Sequence, residues 1–174
     1  MNQSNSKRRK FLRNTSLLSG AYLLSGFQRK VFAQPSTHDI PKPIVASRIK
    51  FAVINIDHPH IYGMTDAIKR GGGELVSLYA KQADLVNAFL KAYPEAKLVK
   101  SENEILEDAS IQLVLSSGIP DERAPLGIRV MQHGKDYLTD KPGIITLEQL
   151  AEVRKVQRQT KRIYSIMYSE RFEN

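Results

Sequence analysis

The sequence predicts an α/β fold of the doubly wound kind, built on a mainly parallel sheet. Three observations support this. From Arg48 onward, short apolar runs alternate with stretches of helical period, as strands joined by crossover helices do. Residues 49–56 and 111–116 are nearly continuous in apolar side chains, a pattern typical of strands buried on both faces. Helix start and stop signals fall between the runs.

Residues 49–56 form the first strand. Pro59 follows where a helix accepts proline in its first turn, and Gly71, Gly72 and Gly73 end that helix. Residues 74–79 are the second strand, and the next helix places Leu85, Val86, Phe89 and Leu90 on one face. Ser101 and Glu104 form a capping box that opens a short helix. Residues 111–116 are another buried strand, followed by a helix over 125–133 that Gly134 closes. A short strand over 136–139 runs into Asp140-Lys141-Pro142-Gly143. Thr146 and Gln149 form a second capping box, launching a helix with Leu147, Leu150, Val153 and Val156 inward. Residues 162–168 are the last strand. Six strands, five of them placed here, with intervening helices complete, in outline, a Rossmann-like nucleotide-binding domain over residues 48–174.

Charge narrows the function classes. The chain of 174 residues has a formal charge of +8, which raises nucleic-acid or membrane-surface binding. Seven of its 26 Lys and Arg lie in residues 1–33, which hold no Asp or Glu, leaving 19 basic against 18 acidic residues beyond them. A phosphate-neutralising surface needs clustered cations on the folded body, so no nucleic-acid partner is expected. The absence of cysteine excludes disulfides, thiolate metal sites and thiol nucleophiles.

The basic residues at the front belong to a leader. Lys7-Arg8-Arg9-Lys10-Phe11-Leu12-Arg13 is similar to the twin-arginine signal, and a weakly apolar stretch over 15–27 follows. That stretch is shorter than the roughly 20 residues of a membrane span. Val31-Phe32-Ala33 is a small-residue cleavage pattern. Residues 1–33 are therefore expected to be a twin-arginine signal peptide, with the twin-arginine translocase as export partner and a periplasmic or extracytoplasmic destination. Residues 34–47, with Pro35, Pro41 and Pro43 and no apolar period, form an extended linker.

Beyond the leader the chain resembles the Gfo/Idh/MocA oxidoreductases over about residues 48–174. The resemblance rests on Ala52-Val53-Ile54-Asn55-Ile56-Asp57-His58-Pro59-His60 leading out of the first strand, Ser116-Ser117-Gly118-Ile119-Pro120 at the end of the fourth, Gly134-Lys135 running into Asp140-Lys141-Pro142, and Ser169-Glu170-Arg171-Phe172 at the end. It implies nicotinamide-dependent hydride transfer on a sugar- or polyol-like substrate. It also implies a catalytic or substrate-orienting role for Lys141, with Asp140 in place of the usual Glu. Asn55, Ile56, Asp57, His58, His60, Lys81, Ser116, Ser117 and Pro142 are the implied cofactor contacts. The family's second domain, which bears most substrate contacts and usually the dimer surface, is expected to be missing, which would leave this chain inactive alone and a homo-oligomer only at full length.

The chain departs from the pattern at the glycine turn, where Asn55, Asp57 and His60 occupy the glycine positions and the close backbone approach to a pyrophosphate is reduced. A carboxylate at Asp57 also competes with phosphate for a helix N-terminus. A non-catalytic ligand-binding or interaction module that has lost its dinucleotide is therefore the alternative. After the second strand Ala80-Lys81-Gln82 stands where an acid normally binds the ribose, so the cofactor expectation leans to NADP over NAD. Asp57, His58 and His60 could also ligate a metal, but one short cluster supplies too few ligands, so none is expected. Arg123 is read as a candidate anion holder or as the ion-pair partner of Glu122. No serine lies in a nucleophile-elbow context.

Overall fold

The computed structural model describes residues 49–168. The expected leader, the linker and the terminal Ser169-Glu170-Arg171-Phe172 lie outside the described residues. Six strands form one parallel sheet: β1 (Lys50–Ile54), β2 (Glu74–Tyr79), β3 (Lys97–Leu98), β4 (Leu113–Ser116), β5 (Asp136–Asp140) and β6 (Tyr164–Met167), in the spatial order β3-β2-β1-β4-β5-β6. The connecting helices are α1 (His60–Arg70), α2 (Ala83–Ala92), α3 (Glu102–Leu106), α4 (Pro120–Gln132) and α5 (Leu147–Thr160). This is the doubly wound order, with its switch point between β1 and β4.

Side chains alternate across a strand, so a strand in the middle of the sheet must be apolar at every position to bury both faces. β1 meets this requirement over residues 51–54. Phe51 and Val53 enter a core with Ile61, Met64, Phe89 and Tyr93, whereas Ala52 and Ile54 enter a second core with Ile105, Leu126, Val130 and Tyr137. Tyr137 and Tyr164 continue the second core, with their ring centroids 5.2 Å apart.

Most sequence-based boundaries agree with the structure, and four details differ. β3, Lys97–Leu98, has two exposed residues, too few to show a period. α4 begins at Pro120, five residues before the expected start, and so contains Pro125. That proline lacks the N–H that would bond the Asp121 carbonyl, and Gln149 Nε2 donates to that carbonyl instead at 3.2 Å. The second capping box is only half formed: Thr146 Oγ1 accepts from Gln149 N, while Gln149 Oε1 accepts from Ile145 N. Leu147, expected inward, is 79 % exposed; it opens α5, and helical side chains lean toward the N-terminus, past the end of the packed face.

Gly127 in α4 lies against the tyrosine pair. A Cβ there would stand 2.4 Å from Tyr164 Cε2 and 2.5 Å from Tyr137 Cδ1. Alanine normally stabilises a helix interior by about 1 kcal/mol over glycine. Overpacking reverses the sign, so Gly127→Ala should lose about 1–3 kcal/mol in denaturant unfolding; a gain would contradict the packing described.

Burial pushes the Tyr137 phenol up to about 12 and raises that of Tyr164 as well. The folded chain thus keeps protons that the unfolded chain releases near pH 10. Stability should hold below about pH 10 and fall as pH rises toward about 12. Tyr137→Phe should flatten part of that alkaline decline in pH-dependent unfolding, leaving the share of Tyr164.

Candidate active site at the carboxyl edge of the sheet

Because every strand runs the same way, the loops after β1, β4 and β5 share one edge. The turn after β1 opens with Asn55 at φ 62°, a left-handed conformation that Asn tolerates better than other residues with a side chain. It thus takes the backbone shape that glycine would supply. Gly118, after β4, provides the room, since a Cβ there would stand 2.9 Å from that of Asn55.

The two loops are joined by hydrogen bonds. Ser117 N donates to Asn55 O at 3.1 Å, His58 N donates to Ser117 O at 3.1 Å, and Ser117 Oγ donates to His58 O at 2.7 Å. Ser116 Oγ accepts from Gly118 N at 3.2 Å. Both serines are fully buried, and their hydroxyls hold the loop through these bonds. Ile56 likewise turns its side chain into the core. Asp57 Oδ1 accepts from Gln82 Nε2 at 2.5 Å, tying the turn to the start of α2.

Asp140, at the tip of β5, is the buried centre of the edge, only 2 % exposed. Its Oδ1 accepts from Lys141 N at 2.7 Å and lies 2.9 Å from His60 Nδ1. Its Oδ2 lies 3.4 Å from both His58 Nδ1 and the Arg123 guanidinium. The imidazoles of His58 and His60 meet edge to face at 4.2 Å, and His58 Nδ1 also accepts from His60 N at 3.4 Å. The loop continues through a cis Lys141–Pro142 bond, with Lys141 half-buried and Pro142 exposed.

Arg123 departs from both roles expected of it. It pairs with Asp140 rather than Glu122, and at 3 % exposure it is enclosed rather than presented to an anion. Its Nε donates to Gly118 O at 2.7 Å, and one terminal nitrogen donates to Lys141 O at 2.6 Å and to Pro142 O at 3.2 Å. A planar guanidinium can serve these divergent acceptors at once, whereas an ammonium cannot. Lys135 is also structural. Its Nζ donates to the Asp108 and Ile111 carbonyls at 2.6 and 3.1 Å, and burial pushes its ammonium below the usual range.

Beside this centre, Asn55, Tyr79, Lys81, Asp121, Pro125 and Arg129 line part of a cleft of about 340 Å³. Arg129 makes a two-pronged pair with Glu102 on its wall, at 2.9 and 3.2 Å. Lys81 is the sequence-based candidate that faces this cleft along with Asn55. Sequence reasoning missed the convergence of Asp140 with His58 and His60. The signal was available in the strand order, which places the loops after β1 and β5 on either side of that after β4. Chemically the centre can do one of two things: the His60–Asp140 pair can move a proton, or the two imidazoles and the carboxylate can hold a cation.

Removing Arg123 would leave a buried carboxylate and three carbonyls short of a donor. Arg123→Met should therefore destabilise by about 3–5 kcal/mol in denaturant unfolding, and Arg123→Lys should recover only part of that loss. A neutral Arg123→Met would contradict the arrangement.

No family model and no curated protein matches this chain. Solved structures do. A candidate oxidoreductase from Erwinia carotovora atroseptica is 34% identical with a TM-score of 0.69, over 71% of this chain and 37% of that one. An NAD-binding protein from Listeria innocua is 20% identical with a TM-score of 0.65, over 73% and 37%. The WlbA dehydrogenase from Chromobacterium violaceum, solved with NADH and UDP-GlcNAcA, is 17% identical with a TM-score of 0.65, over 75% and 38%. This chain spans less than two fifths of each of these proteins, and its described residues share the Rossmann-like fold of oxidoreductases.

Proposed function

We propose that the chain is the dinucleotide-binding part of an exported Gfo/Idh/MocA-type oxidoreductase acting on a sugar- or polyol-like substrate, with NADP favoured over NAD. The observation that carries this reading is the placement of Asp140, Lys141 and Pro142 on the same sheet edge as the turn after β1, beside the switch point where doubly wound sheets bind nucleotides. The twin-arginine pattern at Arg8 and Arg9 supports export.

The residues present fit a dinucleotide in two respects. Asn55 holds the left-handed conformation of the phosphate turn, and the first turn of α1 contains no acid. The adjoining cleft has the size of a small-molecule site, and Lys81 on its lining is the cation that would meet a 2'-phosphate. When bound, the nicotinamide supplies the hydride acceptor or donor. The chain supplies orientation. Asp140 fixes the Lys141 amide and Arg123 fixes its carbonyl, so the main chain that bears the Lys141 ammonium is held from both sides. That ammonium is assigned to polarise the substrate oxygen.

A second reading, a binding module without dinucleotide, is favoured by one feature. The N–H of His60, which would face a phosphate, is already engaged by His58, and the Asp57 carboxylate stands nearby in the same turn. Ligand fluorescence distinguishes the two readings. The proposal expects saturable NADPH binding that is tighter than NADH binding, with Lys81→Ala weakening NADPH about tenfold or more and leaving NADH little changed. Failure of both dinucleotides to bind at millimolar concentration would favour the module.

A further inference from the structure

We infer that His58, His60 and Asp140 form a binding site for a divalent cation of the zinc class. The inference rests on the three side chains alone and does not depend on the nucleotide reading. One ligand atom from each lies within 4.8 Å of the others. Metal–ligand bonds of about 2.0–2.1 Å arranged tetrahedrally set neighbouring ligand atoms about 3.3 Å apart. His58 Nδ1 lies 3.4 Å from Asp140 Oδ2 and His60 Nδ1 lies 2.9 Å from Asp140 Oδ1, so each imidazole stands near ligand spacing from one oxygen of the carboxylate, and side-chain rotation would bring one atom of each residue onto a common ion.

The surroundings fit a cation. Asp140 is buried and oriented by the Lys141 amide and by Arg123, the kind of outer support that fixes a ligating carboxylate. His58 and His60 are 46% and 34% exposed at the side chain, leaving a route for the ion and an open side for a fourth ligand. Three protein ligands with one open position is the pattern of catalytic rather than structural zinc. Two imidazole nitrogens with one carboxylate favour Zn²⁺ or Co²⁺ over Mg²⁺ and Ca²⁺, which prefer all-oxygen shells. An ion there would stand next to Lys141, where it could take a substrate hydroxyl or carbonyl oxygen as its fourth ligand.

The test uses the full chain, prepared without a polyhistidine tag and titrated with Co²⁺ alone. The expected result is a visible tetrahedral Co²⁺ spectrum that Zn²⁺ bleaches and excess Mg²⁺ leaves intact. Affinity should fall about 10–100-fold or more in His58→Ala and in His60→Ala, both at partly exposed positions where the fold should tolerate the change, and circular dichroism checks that it does. His133→Ala, whose ring bonds the Arg129 carbonyl, should bind Co²⁺ as the parent does. The inference is overturned if no bound Co²⁺ spectrum appears, or if the spectrum survives in a folded His58→Ala/His60→Ala double variant; the centre would then act only through its His–Asp hydrogen bonds.

Discussion

The contact between Arg123 and Asp140 is the constraint on which the carboxyl edge depends. One guanidinium, buried between the loops after β4 and β5, satisfies carbonyls on both and a carboxylate at the tip of β5. Burying a charge is costly unless it is paired and fully hydrogen-bonded. Each group here makes the other tolerable, and the two loops cannot separate without exposing both. The positions of Lys141, Pro142 and the imidazole pair all follow from that clamp.

The turn after β1 shows how a left-handed backbone conformation can be held without glycine. Asn55 keeps the left-handed conformation, and the space its side chain needs is provided by Gly118 on the next loop. Ser117 then bonds both ends of the turn. Erosion of a glycine motif in the sequence therefore does not mean loss of the conformation, because a compensating glycine lies 63 positions away in the chain and in contact in space. The chemistry of the turn is its own, with two imidazoles and a carboxylate at His58, His60 and Asp57.

The fold was legible because burial on both faces writes itself into consecutive residues. The runs at 51–54 and 113–116 and the caps at Ser101 and Thr146 mark their elements locally. Lys97–Leu98 left no such trace, since an exposed two-residue edge strand is chosen by its neighbour and not by its own period. At the site, the strand-end loops could be read, but not which of their side chains meet. Arg123 looked like a partner for Glu122 because both neighbours in sequence were visible, whereas its true partner lies 17 residues on. Asp140 likewise escaped the count of possible metal ligands around His58, because it comes from across the sheet.

The nucleotide is proposed to meet the chain at this one edge of the sheet. The most direct measurement is a backbone amide NMR titration with NADPH. The account expects shifts that cluster at Asn55, Asp57, Tyr79, Lys81 and Lys141, with the opposite edge near Gly134 unmoved. Shifts centred near Gly134, or spread without focus across the surface, would contradict it.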